Sequence, residues 1–209
     1  MLLGLTAPGG STPDRQRARI AGMLPRIDAI RTARLVLRPF DADDVEDVWD
    51  YQREAVVARY MPWRERDRDE VAAAVRQMVT EDALSGEGDC LSLAVTDPGS
   101  GTVIGQVELV WLSETGGLGE IGFVFSPRFQ GQGMATEAVR ELLRLAFERL
   151  GLHRVVGRCV AGNSASAALL RRVGMRQEAH FVEGCLLKGR REDELVFAVL
   201  RSEWRRPQK

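Results

Sequence analysis

The segment Glu120-Ile-Gly-Phe-Val-Phe-Ser-Pro-Arg-Phe-Gln-Gly-Gln-Gly-Met-Ala-Thr-Glu137 constrains the fold more than any other part of the chain. Leu118 to Phe125 is a short apolar run of the kind that forms a strand. Ala135, Ala138, Val139, Leu142, Leu143, Ala146, Phe147 and Leu150 then recur at spacings of three and four, which is one face of a helix, and Gly151 stops it. A strand that feeds a glycine-containing loop and then a long amphipathic helix needs a sheet for that helix to cover, so the chain is α/β. The loop is also an anion site. N–H groups at a helix start have no intrahelical partner, the helix adds partial positive charge there, and a phosphate answers both. Gly131 and Gly133 keep side chains away from such a ligand, and Ala135 is nearly as small. Two glycines alone would make only a turn; their place between strand and helix gives them this second meaning. The pattern is not the dinucleotide fingerprint, which fails at Thr136, nor a P-loop, which needs Gly-Lys-Ser/Thr.

The rest of the chain supplies the sheet. Arg34-Leu-Val-Leu-Arg38 is a short strand closed by Pro39, and Asp41 caps a helix carrying Val45, Val48 and Trp49. Asp67-x-x-Glu70 opens a second helix with Val71, Val75, Met78 and Val79 on one face, ending near Gly86. Cys90 to Thr96, Val103 to Leu112 and Leu118 to Phe125 form an antiparallel meander broken by turn-rich stretches. Arg154 to Val160 is a further strand, and Asn163 caps a helix that runs to about Val173 with Gly174 as its stop. Two strands follow at Gln177 to Val182 and Glu194 to Leu200. Residues 1–31 carry breakers at Pro8, Gly9, Gly10 and Pro13 without a sustained apolar face, so they are expected to form a flexible tail, with Met23 as an alternative start. Residues 32–204 are then a single domain, and 205–209 a C-terminal tail.

Acidic and basic residues nearly cancel, 30 against 29, and are interspersed, which argues against nucleic acid or anionic lipid as a partner. No apolar run approaches the roughly 18 residues of a membrane span. Cys90, Cys159 and Cys185 are an odd, dispersed set, so neither a disulfide framework nor a metal site is expected. Met1 to Leu5 lacks the basic and long apolar regions of an export signal, and a cytoplasmic location is the expectation.

The loop also fits Gln/Arg-x-x-Gly-x-Gly/Ala, here Gln130-Gly-Gln-Gly133-Met-Ala135. With it stand Arg34-Leu-Val-Leu-Arg38-Pro, Asn163-x-x-Ser166 at a helix start, Gly174-Met175 closing that helix, and Gly189-x-x-x-Asp193-x-x-x-Phe197. In this set and order the chain resembles the GNAT family of N-acetyltransferases, its RimJ/RimL-like ribosomal-protein branch in particular, over roughly residues 32–204. The resemblance implies the GNAT fold, a mixed, mostly antiparallel sheet of roughly six to seven strands flanked by about four helices. It implies acetyl-CoA as cosubstrate, no metal, and direct attack of a primary amine on the thioester, with a protein N-terminal α-amine among the acceptors. Gln130, Gly131, Gln132, Gly133, Met134, Ala135 and Thr136 would cradle the pyrophosphate, and the backbone of Val124 and Phe125 would pair with pantetheine as an added strand does. Asn163 would hold the cofactor arm and Ser166 the thioester sulfur, although both also suit helix capping. The chain departs from the family at Leu170, where many members carry a tyrosine as general acid.

That loss need not abolish the chemistry, because a thiolate with a pKa of about 8.5 can leave without full protonation. For the base, Glu120 comes first, since period-two alternation puts it on the same side as Val124. Glu108 on the preceding strand and Glu183 near the last strand pair are the other carboxylates; His153, in a turn, and His180, in a strand, rank below them. Trp63 and Arg64 fall where the family lines its acceptor cleft, yet an aromatic beside a proline is also a common packing anchor. Acceptor identity stays open between a protein N-terminus and a small molecule such as an aminoglycoside-like amine or polyamine. A catalytically silent acyl-CoA-binding module is the reading that the missing tyrosine leaves, and a homodimer is the assembly considered.

Overall fold

The computed structural model describes residues 24–204, so the expectations for residues 1–23 and 205–209 lie outside the described residues. Eight strands run in chain order as β1 Ile30–Arg31, β2 Val36–Pro39, β3 Cys90–Thr96, β4 Val103–Ser113, β5 Leu118–Phe125, β6 Arg154–Val160, β7 Arg176–Leu187 and β8 Arg190–Leu200. They make one sheet in the order β1-β2-β3-β4-β5-β6-β8-β7. Every junction is antiparallel except β5 with β6. Five α-helices accompany it, α1 Val45–Gln52, α2 Ala55–Ala58, α3 Arg68–Thr80, α4 Met134–Arg144 and α5 Ser164–Arg172. The α/β class and the mostly antiparallel sheet are as expected; the sheet is larger than expected because β1 joins its edge.

Residues 24–31 correct the expected tail. Leu24 is 3% exposed and exchanges backbone hydrogen bonds with Leu84 at 2.8 and 2.9 Å, while Ile30 and Arg31 pair with Leu37 and Val36. Leu24, Ile27 and Ile30 are spaced three apart and all pack on the core, but a segment this short shows no periodicity in the sequence.

The helix starts follow their capping residues. Asp67 accepts from the Glu70 N–H at 2.9 Å and Glu70 accepts from the Asp67 N–H at 3.0 Å, a reciprocal cap that fixes the start of α3. Its end comes earlier than Gly86: Glu81 leaves helical geometry, its carbonyl accepts the Ser92 N–H at 2.8 Å, and its carboxylate accepts the Ser92 hydroxyl. Leu84 is thereby released to bury against Leu24. The α4 helix closes through a π-helical turn, Leu145–Arg149, ahead of Gly151.

Strands β7 and β8 are longer than the sequence suggested. Lys188 and Gly189, both at positive φ (49° and 81°), make a two-residue turn between the paired Leu187 and Arg190. The outer parts of this hairpin are largely exposed, charged in β8 from Arg190 to Asp193 but with Phe181, Val182 and Leu186 bare on β7, so no in–out apolar alternation announces them.

Helices cover both faces of the sheet. Leu91, Leu93, Ile104, Val107, Leu109 and Ile121 pack beneath Val139, Leu142, Leu143 and Phe147 of α4 and its π turn and Leu170 of α5. On the opposite face Ala94, Val103 and Val124 meet Val48 and Tyr51 of α1 and Val71, Val75 and Met78 of α3.

Candidate active site

The parallel pairing of β5 with β6 runs from Leu118 and Arg154 to Ile121 and Gly157 and stops there, although the strands continue to Phe125 and Val160. On its other side β5 stays paired with β4 as far as Gly105 and Phe125. Residues 122–125 therefore present one open strand edge to a gap in the middle of the sheet. Which main-chain groups face that gap follows from the register. The Ser126 N–H donates to the Ile104 carbonyl at 2.9 Å, so the alternation of an antiparallel ladder turns the N–H and C=O of Val124 toward β4. Those of Phe123 and Phe125 point into the gap. Of the two residues expected to meet an extended ligand, Phe125 turns its main chain to the gap, while Val124 pairs with Gln106 and places its side chain in the α1–α3 core; Phe123 is the other residue on the open edge.

The loop that follows is tied back to the strand. Gln130 Nε2 donates to the Phe125 carbonyl at 3.2 Å. Gly131 and Gly133 take φ of 75° and 80°, a region that other residues enter at a cost, and Gly133 is the N-cap of α4. The first hydrogen bond of the helix is from the Glu137 N–H to the Gly133 carbonyl at 3.1 Å. Among the described residues, no acceptor lies within hydrogen-bonding reach of the N–H groups of residues 131–136. A Cβ added at Gly131 would meet nothing within 4 Å, so the backbone here is uncovered. Free amide donors at a helix start, continuous with an open strand edge, fit a cosubstrate that carries a pyrophosphate at one end and amides along its arm.

Asn163 and Ser166 stand at the β6 side of the gap. Asn163 Oδ1 accepts the Ser166 N–H at 3.1 Å, so the asparagine caps α5, and Tyr60 closes over the same turn by donating to the Gly162 carbonyl at 2.8 Å. Leu170 is fully buried, with a methyl 2.7 Å from where a Gly157 Cβ would stand, so this position packs the helix onto β6.

The carboxylates divide by environment. Glu120 lies on the same face as Val124, as alternation required, but Arg158 bridges it to Glu194, at 3.3 Å and 3.4 Å. Glu108 is partly buried, and its carboxylate lies 3.2 Å from the position of a Gly122 Cβ, next to where the open edge begins. Gln106 Nε2 donates to it at 2.7 Å, while Gln106 Oε1 accepts from Tyr51 Oη and Gln52 Nε2, both at 3.0 Å. Gln52 in turn accepts from Arg66 at 2.8 Å, and the Arg66 guanidinium stacks over Trp63 at 4.7 Å. Desolvation raises the Glu108 carboxyl above the usual range, with the Glu81 charge pushing the same way against the Gln106 hydrogen bond and Arg66. This network escaped the sequence reading, although Gln106 and Glu108 are alternate polar residues in an otherwise apolar strand, which was the available signal.

Other candidates fall elsewhere. Glu183 is exposed at an irregularity of β7, and Asp193 accepts both its N–H at 2.9 Å and a hydrogen bond with His180 at 2.8 Å. Arg64 is exposed, and Trp63 serves as a platform for Arg66. Burial pushes the Cys90 thiol up to about 12 and the Cys159 thiol up to about 11. Neither is poised as a nucleophile. Among the described residues no group of three or more His, Cys, Asp or Glu is placed to hold a metal ion, and no helix is long and apolar enough to cross a membrane.

The sheet thus splits beside the glycine-containing start of α4, with a desolvated carboxylate next to the split. The chain matches the acetyltransferase (GNAT) domain model over residues 34–176, and it belongs to that family. It is an N-acetyltransferase. It is 30% identical to the uncharacterized N-acetyltransferase YnaD of Bacillus subtilis, over 84% of this chain and 98% of that one. The [ribosomal protein uS5]-alanine N-acetyltransferase of Escherichia coli is 25% identical over 84 residues, 40% of this chain and 43% of that protein. A solved GNAT-family acetyltransferase structure from Chromobacterium violaceum superposes with a TM-score of 0.75 at 28% identity, covering 97% of this chain and 99% of that one.

Proposed function

We propose that this protein transfers the acetyl group of acetyl-CoA directly to an α-amine at a protein N-terminus, with Glu108 as the base. The observation that carries this reading is the continuity of the free N–H run at residues 131–136 with the open edge at Phe123 and Phe125, beside which Glu108 lies. The loop from Gln130 to Thr136 holds the phosphates, the β5 edge pairs with the amide arm, and Asn163 and Ser166 form the opposite wall. Acetyl-CoA supplies an activated acyl group on a leaving thiolate that needs little protonation, which suits the apolar Leu170. Direct attack is favoured over an acyl-cysteine route because the Cys90 and Cys159 thiols are held protonated at neutral pH.

Glu108 is preferred to Glu120 as base because burial raises its carboxyl, which brings it closer to a base working near pH 7, and because Gln106 orients it. Glu120 is already engaged by Arg158. An α-amine of pKa about 8 costs about 1.4 kcal/mol to deprotonate at pH 7, against about 4.6 kcal/mol for a lysine-like amine, so a single carboxylate suffices for the former. The relative that acts on the alanine of a ribosomal protein supports the same acceptor class.

The test is thiol release with a panel of amines: peptides with free and with blocked N-termini, a polyamine and an aminoglycoside. The reading expects fast release with free N-termini and none with blocked ones. Faster release with the polyamine or aminoglycoside would overturn the acceptor assignment, and no release with any amine would leave a silent binding module.

A further inference from the structure

The two arginines of Arg34-Leu-Val-Leu-Arg38-Pro have different surroundings. Arg38 forms a two-point pair with Asp44, at 2.8 and 2.6 Å, at the approach to α1. Arg34 sits in the turn between β1 and β2, closed by the Thr32 N–H donating to the Leu35 carbonyl at 2.9 Å, and it reaches the other way, to the start of α4. There Glu137 accepts from Thr32 Oγ1 at 2.6 Å, from the Arg34 N–H at 2.9 Å and from Arg34 Nε at 2.8 Å, with Arg34 Nη2 in ion-pair contact at 2.8 Å. The remaining arm of the guanidinium, Nη1, donates to the Gln132 carbonyl at 2.8 Å, inside the run of free N–H groups. Nη2 lies 3.4 Å from where a Gly133 Cβ would be.

Glu137 is an awkward residue for an anion site. A carboxylate in the first turn favours the bare helix, and it repels a phosphate arriving at the same end. Arg34 cancels that charge and at the same time holds the Gln132 carbonyl to the outside of the loop. Its guanidinium is already shared between Glu137 and Gln132, so it acts through the loop.

We propose that Arg34 is a positioning residue of the cosubstrate site: by pairing with Glu137 and fixing the Gln132 carbonyl, it keeps the start of α4 receptive to the phosphates of CoA. This rests on the assignment of acetyl-CoA to that loop. The turn at Thr32–Leu35 is on this account part of the binding machinery, although it lies about a hundred residues away in sequence.

Calorimetric titration of Arg34→Ala and of Arg34→Ala/Glu137→Gln, with CoA and with pantetheine as probes, separates the outcomes. Arg34→Ala should weaken CoA binding by about tenfold or more and pantetheine by less than about twofold, with kcat at saturating acetyl-CoA nearly unchanged. The deficit should shrink at high salt, and Glu137→Gln in the same background should restore part of the affinity. The double variant also removes the unpaired charge that could unfold the single one. A folded Arg34→Ala protein with wild-type CoA affinity would overturn the proposal while leaving the site in place, as would an equal loss for pantetheine or no recovery in the double variant. Wild-type protein that bound CoA no better than pantetheine would overturn the phosphate site itself, and the role of Arg34 with it.

Discussion

Glu108→Gln removes a charge and a proton acceptor while keeping the shape of the side chain and an oxygen for Gln106 Nε2, now at 2.7 Å, to donate to. General-base assistance is worth about 10² to 10⁴ in rate, or roughly 3 to 5 kcal/mol. Deprotonating a lysine-like amine at pH 7 costs about 4.6 kcal/mol, so its turnover should fall by the upper figure, whereas an α-amine, at about 1.4 kcal/mol, should lose nearer the lower one. The wild-type kcat/KM should fall as pH drops through the raised carboxyl pKa of Glu108, and the variant should lose that limb. Stability should move the other way. Because burial raises this carboxyl, the native state binds its proton more tightly than the unfolded chain does. The penalty for ionising Glu108 is absent below the unfolded value, grows as pH rises between the two values and is complete above the folded one. The variant should therefore melt higher than wild type at neutral pH and lose that advantage in acid. The assays are pH–rate profiles with both amine types and thermal melts at two pH values. A variant that kept the wild-type acid limb would refute the reasoning and return Glu120 to first place.

Glu120→Gln should lower turnover by less than about tenfold, since the carboxylate already serves Arg158; a loss as large as that of Glu108→Gln, in the same kinetic assay, would contradict this. Gly105→Ala would set a Cβ 2.6 Å from the Val124 carbonyl and 2.5 Å from the Phe125 ring, costing about 1 to 3 kcal/mol. Melting temperature and CoA affinity should fall together, and an unchanged melt would show slack at the end of β5. Leu24→Ala empties a core position at the start of the described chain, so a cost near the low end of the range, about 2 kcal/mol, should lower the melting temperature by about 4 to 8 °C. No shift would mean that residues 24–31 do not hold the sheet edge.

The central part of the molecule was legible because its patterns are long or chemically distinctive. Strands β3, β5 and β6 have the bounds read from the sequence, and the caps at Asp67 and Asn163 do what their side chains dictate. The pieces that escaped are short or exposed: β1 has two residues, α2 has four, and the outer β7–β8 hairpin is exposed along most of β7 and at the start of β8. The geometry of the loop before α4 was legible because two glycines between a strand and a helix mark a bare, left-handed turn. That Phe123 rather than Val124 turns its main chain to the gap was not, because it depends on which residues of β4 and β5 face each other, and register is a tertiary property. The standing of Glu108 was equally hidden, since it comes from Gln106, Tyr51 and Gln52, brought together from a strand and a helix far apart in sequence.

The most direct test of the central claim, that the start of α4 carries the phosphates of acetyl-CoA, is a calorimetric titration of CoA into wild type and Gly133→Val. The substitution forces a β-branched residue to a φ of 80°, at a cost of at least about 1 to 2 kcal/mol, and places new atoms 3.4 Å from Arg34 beside the free N–H groups. Wild-type protein should bind CoA and the variant should bind it at least about tenfold more weakly. Equal affinities, in a variant that melts as a folded protein, would contradict the account.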